Sequence, residues 1–314
     1  MRDAVLVVGS GMMGSGIGAM SALAGVKTIL VDVDEQLVRA GLERAFACIQ
    51  LRLESGLNTS EEAERALALL TVSTSVEDAS GEAYLVIEAI VERVEAKQAL
   101  FQQLDALLPP EVPICSNTSG LRITDISRLC SHPERTITTH FWLPAHLVPL
   151  VEVVMGDKTN LDIAHRVMAE LRRWKKSPVL VKRDLPGQLA NRVFQAIIRE
   201  AIDIVASGLA SAEDVDTAIS CGMAMRFPVW GPLQHLDGVG LDLGLSVQET
   251  VLPDLCADRH ASQYLKDLVE RGHLGAKSGV GFYDWSERSM PKAMEKRDRF
   301  IIEAVKIINE LERE

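Results

Sequence analysis

The sequence predicts a doubly wound, mostly parallel α/β sheet followed by an all-helical second domain. Three observations predict it. Short β-branched apolar runs alternate with stretches of helical spacing from Ala4 to Val181, the pattern of strands joined by crossover helices. A glycine-rich turn links the first such run to the first helix. Beyond Lys182-Arg183-Asp184-Leu185-Pro186-Gly187 strand signals nearly vanish, which divides the chain into residues 1–183 and 184–314.

In order, Ala4–Val8 is an apolar strand ending at Gly9, Met12–Ala24 a helix, and Thr28–Val31 a second strand ending on Asp32. Residues 34–54 and 60–70 make two amphipathic helices, an excursion from the sheet. The second is introduced by the capping run Asn58-Thr59-Ser60-Glu61-Glu62. Strands follow at Leu70–Ser73, Tyr84–Ile87, Pro113–Ser116, Thr136–His140, Leu150–Val154 and Val179–Val181, with helices at Val94–Leu108, Ile123–Leu129 and Leu161–Trp174. In the second domain Asn191–Ser207, Ala212–Cys221, Leu241–Leu252, Ala261–Arg271 and Lys292–Glu312 have helical spacing, with turns at Gly208, Pro228, Gly231-Pro232, Gly272 and Gly275.

Composition narrows the class of function. At 314 residues, 47% hydrophobic and 25% charged, the chain has ample length for a buried core and is not disordered. A formal net charge of −11 argues against nucleic acid or an anionic membrane as partner, since no field draws phosphate in. Cys48, Cys115, Cys130, Cys221 and Cys256 form no C-x-x-C pair and no even set, so they read as reduced thiols of a cytoplasmic protein. Ala4–Val26 carries no charge, but its six glycines and the preceding Asp3 are wrong for a signal peptide or a membrane span.

Gly9-Ser10-Gly11-Met12-Met13-Gly14 follows a strand and opens a helix, and Asp32 ends the next strand. In that context the three glycines serve different ends. Gly9 permits a tight turn, Gly11 lets the backbone approach a pyrophosphate closely, and Gly14 allows close helix–strand packing. The helix start at Met12 and Met13 faces the anion, while the Asp32 carboxylate accepts from a ribose diol and repels a 2′-phosphate. The segment is a Rossmann-type dinucleotide site, with NAD favoured over NADP.

Other positions stay ambiguous on residues alone. Asn117-Thr118-Ser119 ends a strand, where ligands of such sheets collect, yet it reads first as a polar turn capping the helix at Ile123. His140 ends a strand and Glu152 lies on the next. An imidazole backed by a carboxylate suits removal of a hydroxyl proton near neutrality. A lone strand-end histidine is commonly structural, and spacing does not decide between the two. His146 lies between them, but six residues across a loop match no familiar metal pattern, so no metal is expected. Asn191 opens the first helix of the second domain, as a cap or as an amide reaching a ligand.

At these residues the chain resembles the 3-hydroxyacyl-CoA dehydrogenase family over essentially its whole length. The stretches are VVGSGMMGSGIG, VIEAIVERVEAK, CSNTSGLRIT, HFWLPAHLVPLVEVV, DLPGQLANRVF, WGPLQHLDGVGLD and GAKSGVGFYDW, in matching order and spacing. The resemblance implies that His140 is the general base and Glu152 its partner, with Ser119 and Asn191 around the substrate oxygen. It places Asp32, Glu92, Lys97 and Asn117 on the side of the cofactor, NAD. It also implies a homodimer made by the helical domain and an active site between the domains. The expected reaction is oxidation of an L-3-hydroxyacyl compound, such as a 3-hydroxybutyryl-CoA, to the 3-oxo compound.

Three departures bear on that expectation. The family's F-F-N-P run after the histidine is here Phe141-Trp142-Leu143-Pro144, so Leu143 replaces an asparagine lining the site. Gly120 follows Ser119 where fatty acyl-CoA enzymes commonly carry serine. Residues 34–70 contain no lysine, where acyl-CoA members often carry a lysine-rich helix for the CoA phosphates. They offer Arg39, Arg44, Arg52 and Arg65 among seven acids. Gly222-Met223-Ala224-Met225-Arg226 resembles the branch acting on small free acids, which includes L-gulonate 3-dehydrogenase, λ-crystallin and a pyridine-carboxylate dehydrogenase. Arg226 there could pair with a substrate carboxylate or serve as a plain surface salt bridge. A small free hydroxy acid is therefore held nearly level with the thioester. The β-hydroxyacid dehydrogenases are disfavoured, since Asn191-Arg192-Val193-Phe194 lacks their glycine–lysine run. A non-catalytic NAD-binding protein of λ-crystallin type finds encouragement in Leu143 alone.

Overall fold

The computed structural model describes residues 2–311, which fall into two compact units divided between Ala190 and Asn191. The first carries an eight-stranded sheet: β1 (Ala4–Val8), β2 (Lys27–Val31), β3 (Leu70–Ser73), β4 (Ala83–Glu88), β5 (Ile114–Ser116), β6 (Thr136–Phe141), β7 (Leu150–Met155) and β8 (Ser177–Val181). Their order is β3-β2-β1-β4-β5-β6-β7-β8, and every pairing is parallel except β6 with β7. Only residues 142–149 separate β6 from β7, too few for the crossover a parallel neighbour requires, so the chain returns as a hairpin.

The sheet is apolar on both faces, as a covered parallel sheet must be. Along β1, Val5 and Val7 join one cluster with Ile17, Leu30, Ile137, Val153 and Trp174. Ala4, Leu6 and Val8 point the other way, to Ile29, Val86, Phe101 and Ile114. Helices α1 (Met12–Leu23), α2 (Glu35–Glu54) and α3 (Ser60–Leu69) precede β3, and the chain then crosses to the far side of β1 to form β4. The carboxyl ends of β1 and β4 therefore border the point where strand order reverses, where sheets of this kind bind ligands.

The second unit is helical, with its longest elements at Ala190–Ala206, Leu241–Val251 and Met290–Leu311. The last replaces the expected Lys292–Glu312, of which Glu312 lies outside the described residues. Three expectations need correction. Gly231-Pro232 is the start of a helix, Pro232–Val239, because proline's fixed φ and missing N–H suit a first turn. Val76–Ser80, to which the sequence assigned no element, is a short helix whose N-cap Ser75 accepts from the N–H of Asp78. The segment 212–221 is α-helical only to Ala218 and then widens into a π-turn over Ile219–Met223. Among the described residues no helix is long and apolar enough to cross a membrane.

Candidate active site

The glycine turn leaves β1 at the strand-order reversal. Gly9 has φ +97°, and a Cβ there would stand 2.6 Å from the Ala89 carbonyl oxygen; at Gly14 it would stand 1.8 Å from that of Gly9. Both glycines are dictated by the protein's own packing. At Gly11 an added Cβ would meet nothing within 4 Å, so no protein atom there excludes a side chain. Gly11 is the N-cap of α1 without any side-chain cap, and the first turn, with Met12 65% exposed, has no acid. Uncapped N–H groups beside open space are what a pyrophosphate needs. The dinucleotide fits the residues present.

Asp32 is tied into the same turn. One carboxylate oxygen accepts from the N–H and hydroxyl of Ser10 at 2.8 and 2.9 Å, the other from the N–H of Val33 at 2.9 Å. Of the roughly four acceptor positions on a carboxylate, one stays free for a ribose hydroxyl. Arg44 donates to the Ser10 carbonyl at 2.8 Å, which fixes α2 against the turn.

At the ends of β4 and β5 a buried charge network sets the Asn117-Thr118-Ser119 loop. Lys97 is 1% exposed and bridges Glu88 at 2.5 Å and Glu92 at 3.2 Å. Its ammonium therefore acts on the site through these carboxylates. Glu92 Oε1 accepts from the Thr118 hydroxyl at 2.6 Å and the N–H groups of Ser119 and Gly120 at 3.0 and 3.1 Å. Burial pushes this carboxyl upward, but these donors and Lys97 hold it below its ordinary value. Glu88, which the sequence reading missed, also accepts from Ser116 at 2.6 Å. Its signal was present: a carboxylate closing an apolar strand, with a lysine nine residues on, reads as a buried pair. Ser119 is left exposed, its hydroxyl without a hydrogen bond among the described residues. Asn117 turns its amide oxygen onto the N–H of Phe141 at 2.9 Å, joining the β5 and β6 ends.

His140 and Glu152 are direct cross-strand partners in the β6–β7 hairpin, a position that puts side chains in contact. His140 Nδ1 lies 2.8 Å from Glu152 Oε2. Glu152 is fully buried, and the imidazole keeps a small opening at 12% exposure. Trp142 donates its indole N–H to the same Oε2 at 3.1 Å, and the N–H groups of Leu189 and Ala190 donate to Oε1 at 2.8 Å each. Burial alone would raise this carboxyl; the four donors outweigh it and hold it down at about 2. A permanent carboxylate on Nδ1 keeps the proton there and leaves the Nε2 lone pair as the base. Leu143 is 44% exposed beside this pair in the chain. Asn191 and Arg226 belong to the second unit, where Arg226 is exposed and makes no ion pair among the described residues.

The excursion α2–α3 spends most of its cations internally. Arg39 pairs with Glu35, and buried Arg52 donates to Asn58 at 2.7 Å and to the His146 carbonyl at 2.5 Å. With Arg44 on Ser10, the exposed Arg65 remains.

The chain is similar to known proteins over most of its length. The family described as "3-hydroxyacyl-CoA dehydrogenase, NAD binding domain" matches residues 4–185, and the C-terminal domain of the same enzymes matches residues 187–285. A probable 3-hydroxybutyryl-CoA dehydrogenase of Bacillus subtilis is 37% identical over 91% of this chain and 98% of its own. A 5-formyl-3-hydroxy-2-methylpyridine 4-carboxylate 5-dehydrogenase of Mesorhizobium japonicum is 30% identical over 97% of both. A crystal structure of such a pyridine-carboxylate dehydrogenase, described as an NAD+-dependent dismutase, is similar at a TM-score of 0.89, with 28% identity and coverage of 98% of this chain and 99% of that one.

Proposed function

We propose that this chain, which belongs to the 3-hydroxyacyl-CoA dehydrogenase family of NAD-dependent oxidoreductases acting on CH–OH groups, oxidises an alcohol on a small free carboxylic acid with His140 as general base. The observation that carries the base assignment is the 2.8 Å contact between His140 Nδ1 and the buried carboxylate of Glu152. His140 Nε2 takes the hydroxyl proton, and the fixed negative charge behind it stabilises the imidazolium that forms. NAD, when bound, accepts the hydride from the same carbon. The exposed Ser119 hydroxyl, on a loop pinned by Glu92, orients the substrate oxygen, and Asn191 is given the same role from sequence. Pinning these groups before the reaction lowers its entropic cost. A non-catalytic NAD-binding protein has no use for an aligned imidazole–carboxylate pair.

Support for a free acid comes from the excursion. Arg44 and Arg52 donate to backbone carbonyls and the exposed Arg39 is offset by Glu35, and with no lysine and seven acids in the segment little attraction is left for the phosphates of CoA. The pyridine-carboxylate enzyme also matches more of this chain, 97% against 91%. A CoA thioester is the second reading, favoured by the higher identity of the Bacillus relative. Comparing acetoacetyl-CoA with free 3-oxo acids as oxidants of NADH separates the two. His140→Gln is expected to abolish turnover and leave NADH binding intact; near-normal turnover in that variant refutes the assignment.

The same reading includes a homodimer through the second unit. Among its described hydrophobic side chains, Ile202, Val215, Leu268 and Ile302 are buried, while Phe194, Leu241, Leu245 and Phe300 are about half exposed or more. On the last helix Phe300 and Leu311 are exposed and Ile301, Ala304, Val305 and Ile308 only partly buried. A domain with this little core needs an apolar partner, and light scattering at twice the chain mass tests it.

A further inference from the structure

The indole of Trp142 has no part in the reading above, and it stands where family members usually carry phenylalanine. Its ring lies 5.8 Å from that of His140 between centroids. Its N–H reaches Glu152 Oε2 at 3.1 Å, the oxygen that also takes the imidazole N–H at 2.8 Å. We infer that Trp142 is a positioning residue for this reaction, whose indole N–H shares the Glu152 oxygen with His140 and so limits how tightly the dyad holds the abstracted proton.

The physical cause is competition for one acceptor. A carboxylate oxygen that already accepts a hydrogen bond has less charge density to offer a second donor, and a donor to an ionised group counts for more than one to a neutral group. Phenylalanine fills much the same apolar space without donating. With phenylalanine there, Oε2 answers to the imidazole alone and imidazolium is better stabilised. The indole also pins Oε2, while the N–H groups of Leu189 and Ala190 pin Oε1, so the carboxylate plane is fixed from both ends. The hydrogen-bond partners of Glu152 are His140 from β6, Trp142 from the hairpin loop and the two backbone N–H groups, and its sheet neighbour on β8 is the apolar Val179.

The inference rests on His140 acting as the base, and its test separates the two claims. Trp142→Phe is assayed against wild type for NAD reduction by 3-hydroxybutyryl-CoA or, if the thioester is inert, by 3-hydroxybutyrate, across pH 5–9. The expected result is an acid limb of kcat/KM displaced upward by about 0.5–1 pH unit, with NADH binding unchanged. A limb that stays in place or moves downward overturns the proposal, since loss of packing alone would lower the rate without moving the limb. Should Trp142→Phe fail to fold, or turnover be absent, indole N–H resonances of the wild-type protein decide. There are four tryptophans, and one indole resonance is expected to follow a pH titration that vanishes in His140→Gln. If no indole responds, Trp142 does not sense the dyad and the proposal falls. A wild type without turnover on any hydroxy acid sinks the proposed function and leaves this measurement standing.

Discussion

Replacing Glu152 with glutamine tests the arrangement at its most constrained point. Four donors converge on the carboxylate, two on each oxygen. A glutamine oxygen satisfies two of them and its NH2 then faces the other two; the imidazole can shift its proton to Nε2 and accept at Nδ1, so at least one donor is left without an acceptor. Each such loss costs about 1–3 kcal/mol in a buried site. A second route leads to a similar figure. Holding the carboxyl at about 2 rather than 4.5 corresponds to about 3 kcal/mol favouring the ionised native form. Glu152→Gln is therefore expected to lower unfolding free energy by about 3 kcal/mol at pH 7, read from urea midpoints. Because folding depresses this carboxyl, its contribution is complete above about pH 4.5 and lost as pH falls toward 2. That segment of the wild-type stability profile should flatten in the variant. Turnover should fall about ten-thousandfold, as when the carboxylate that orients a catalytic histidine is neutralised elsewhere. A folded variant retaining turnover within about tenfold of wild type would refute the reasoning.

Two further perturbations separate binding from folding. Gly11→Ala meets no protein atom within 4 Å, so its melting temperature should match wild type while NADH affinity drops about tenfold or more, as fluorescence titration would show. Gly14→Ala puts a methyl 1.8 Å from the Gly9 carbonyl oxygen and should destabilise by about 2 kcal/mol or more even without cofactor. Lys176 is buried and donates to the carbonyls of Ala145 and Val148 at 2.5 and 2.8 Å, holding the loop after His140. Lys176→Met leaves both carbonyls unpaired and should cost about 2–4 kcal/mol by chemical denaturation. Burial first, and Arg52 second, depress Lys176 to about 7, so its charged form opposes folding most below that value and progressively less up to 10.5. Wild type gains stability over that range and the variant does not, so the deficit should widen from pH 7 to 10.5.

The sequence made the sheet legible because each strand is a short β-branched run closed by a turn residue, and because buried parallel strands have no polar face to blur the pattern. Strand ends at Gly9, Asp32 and His140 put chemistry at one edge of the sheet without any need of coordinates. The register of His140 with Glu152 was not legible: strands ending at His140 and starting at Leu150 pair as a hairpin, but aligned ends would set residues 140 and 150 opposite each other, and it is the extension of β6 to Phe141, paired with Val151, that brings His140 opposite Glu152. Also hidden were donors supplied by chemistry that carries no periodic signal. The N–H groups of Leu189 and Ala190 belong to backbone whose path depends on Gly187 at φ +82° and Gln188 at φ +50°. The Trp142 indole reads in sequence as one more aromatic residue. The helix at Pro232 was missed for a different reason, since glycine–proline marks a turn and a helix start equally well.

A common device underlies all three parts of the site. Asp32, Glu92 and Glu152 each stand on a strand or just beyond the end of one, and each gathers backbone N–H groups from a turn that would otherwise leave them unpaired: Ser10 and Val33, Ser119 and Gly120, Leu189 and Ala190. A carboxylate suits this because it has about four acceptor positions and no donor, so convergent N–H groups meet no competing hydrogen. The difference among the three lies in what remains. Asp32 keeps an acceptor position free, which suits the hydroxyl-binding role proposed for it. Glu152 has all four filled and depends on no ligand, as befits a group that holds one proton on His140 Nδ1. An amide in place of Asp32 should therefore weaken cofactor binding more than folding, and in place of Glu152 it should damage folding and turnover together. The number of acceptor positions already filled, more than the distance to substrate, sets which property each carboxylate controls.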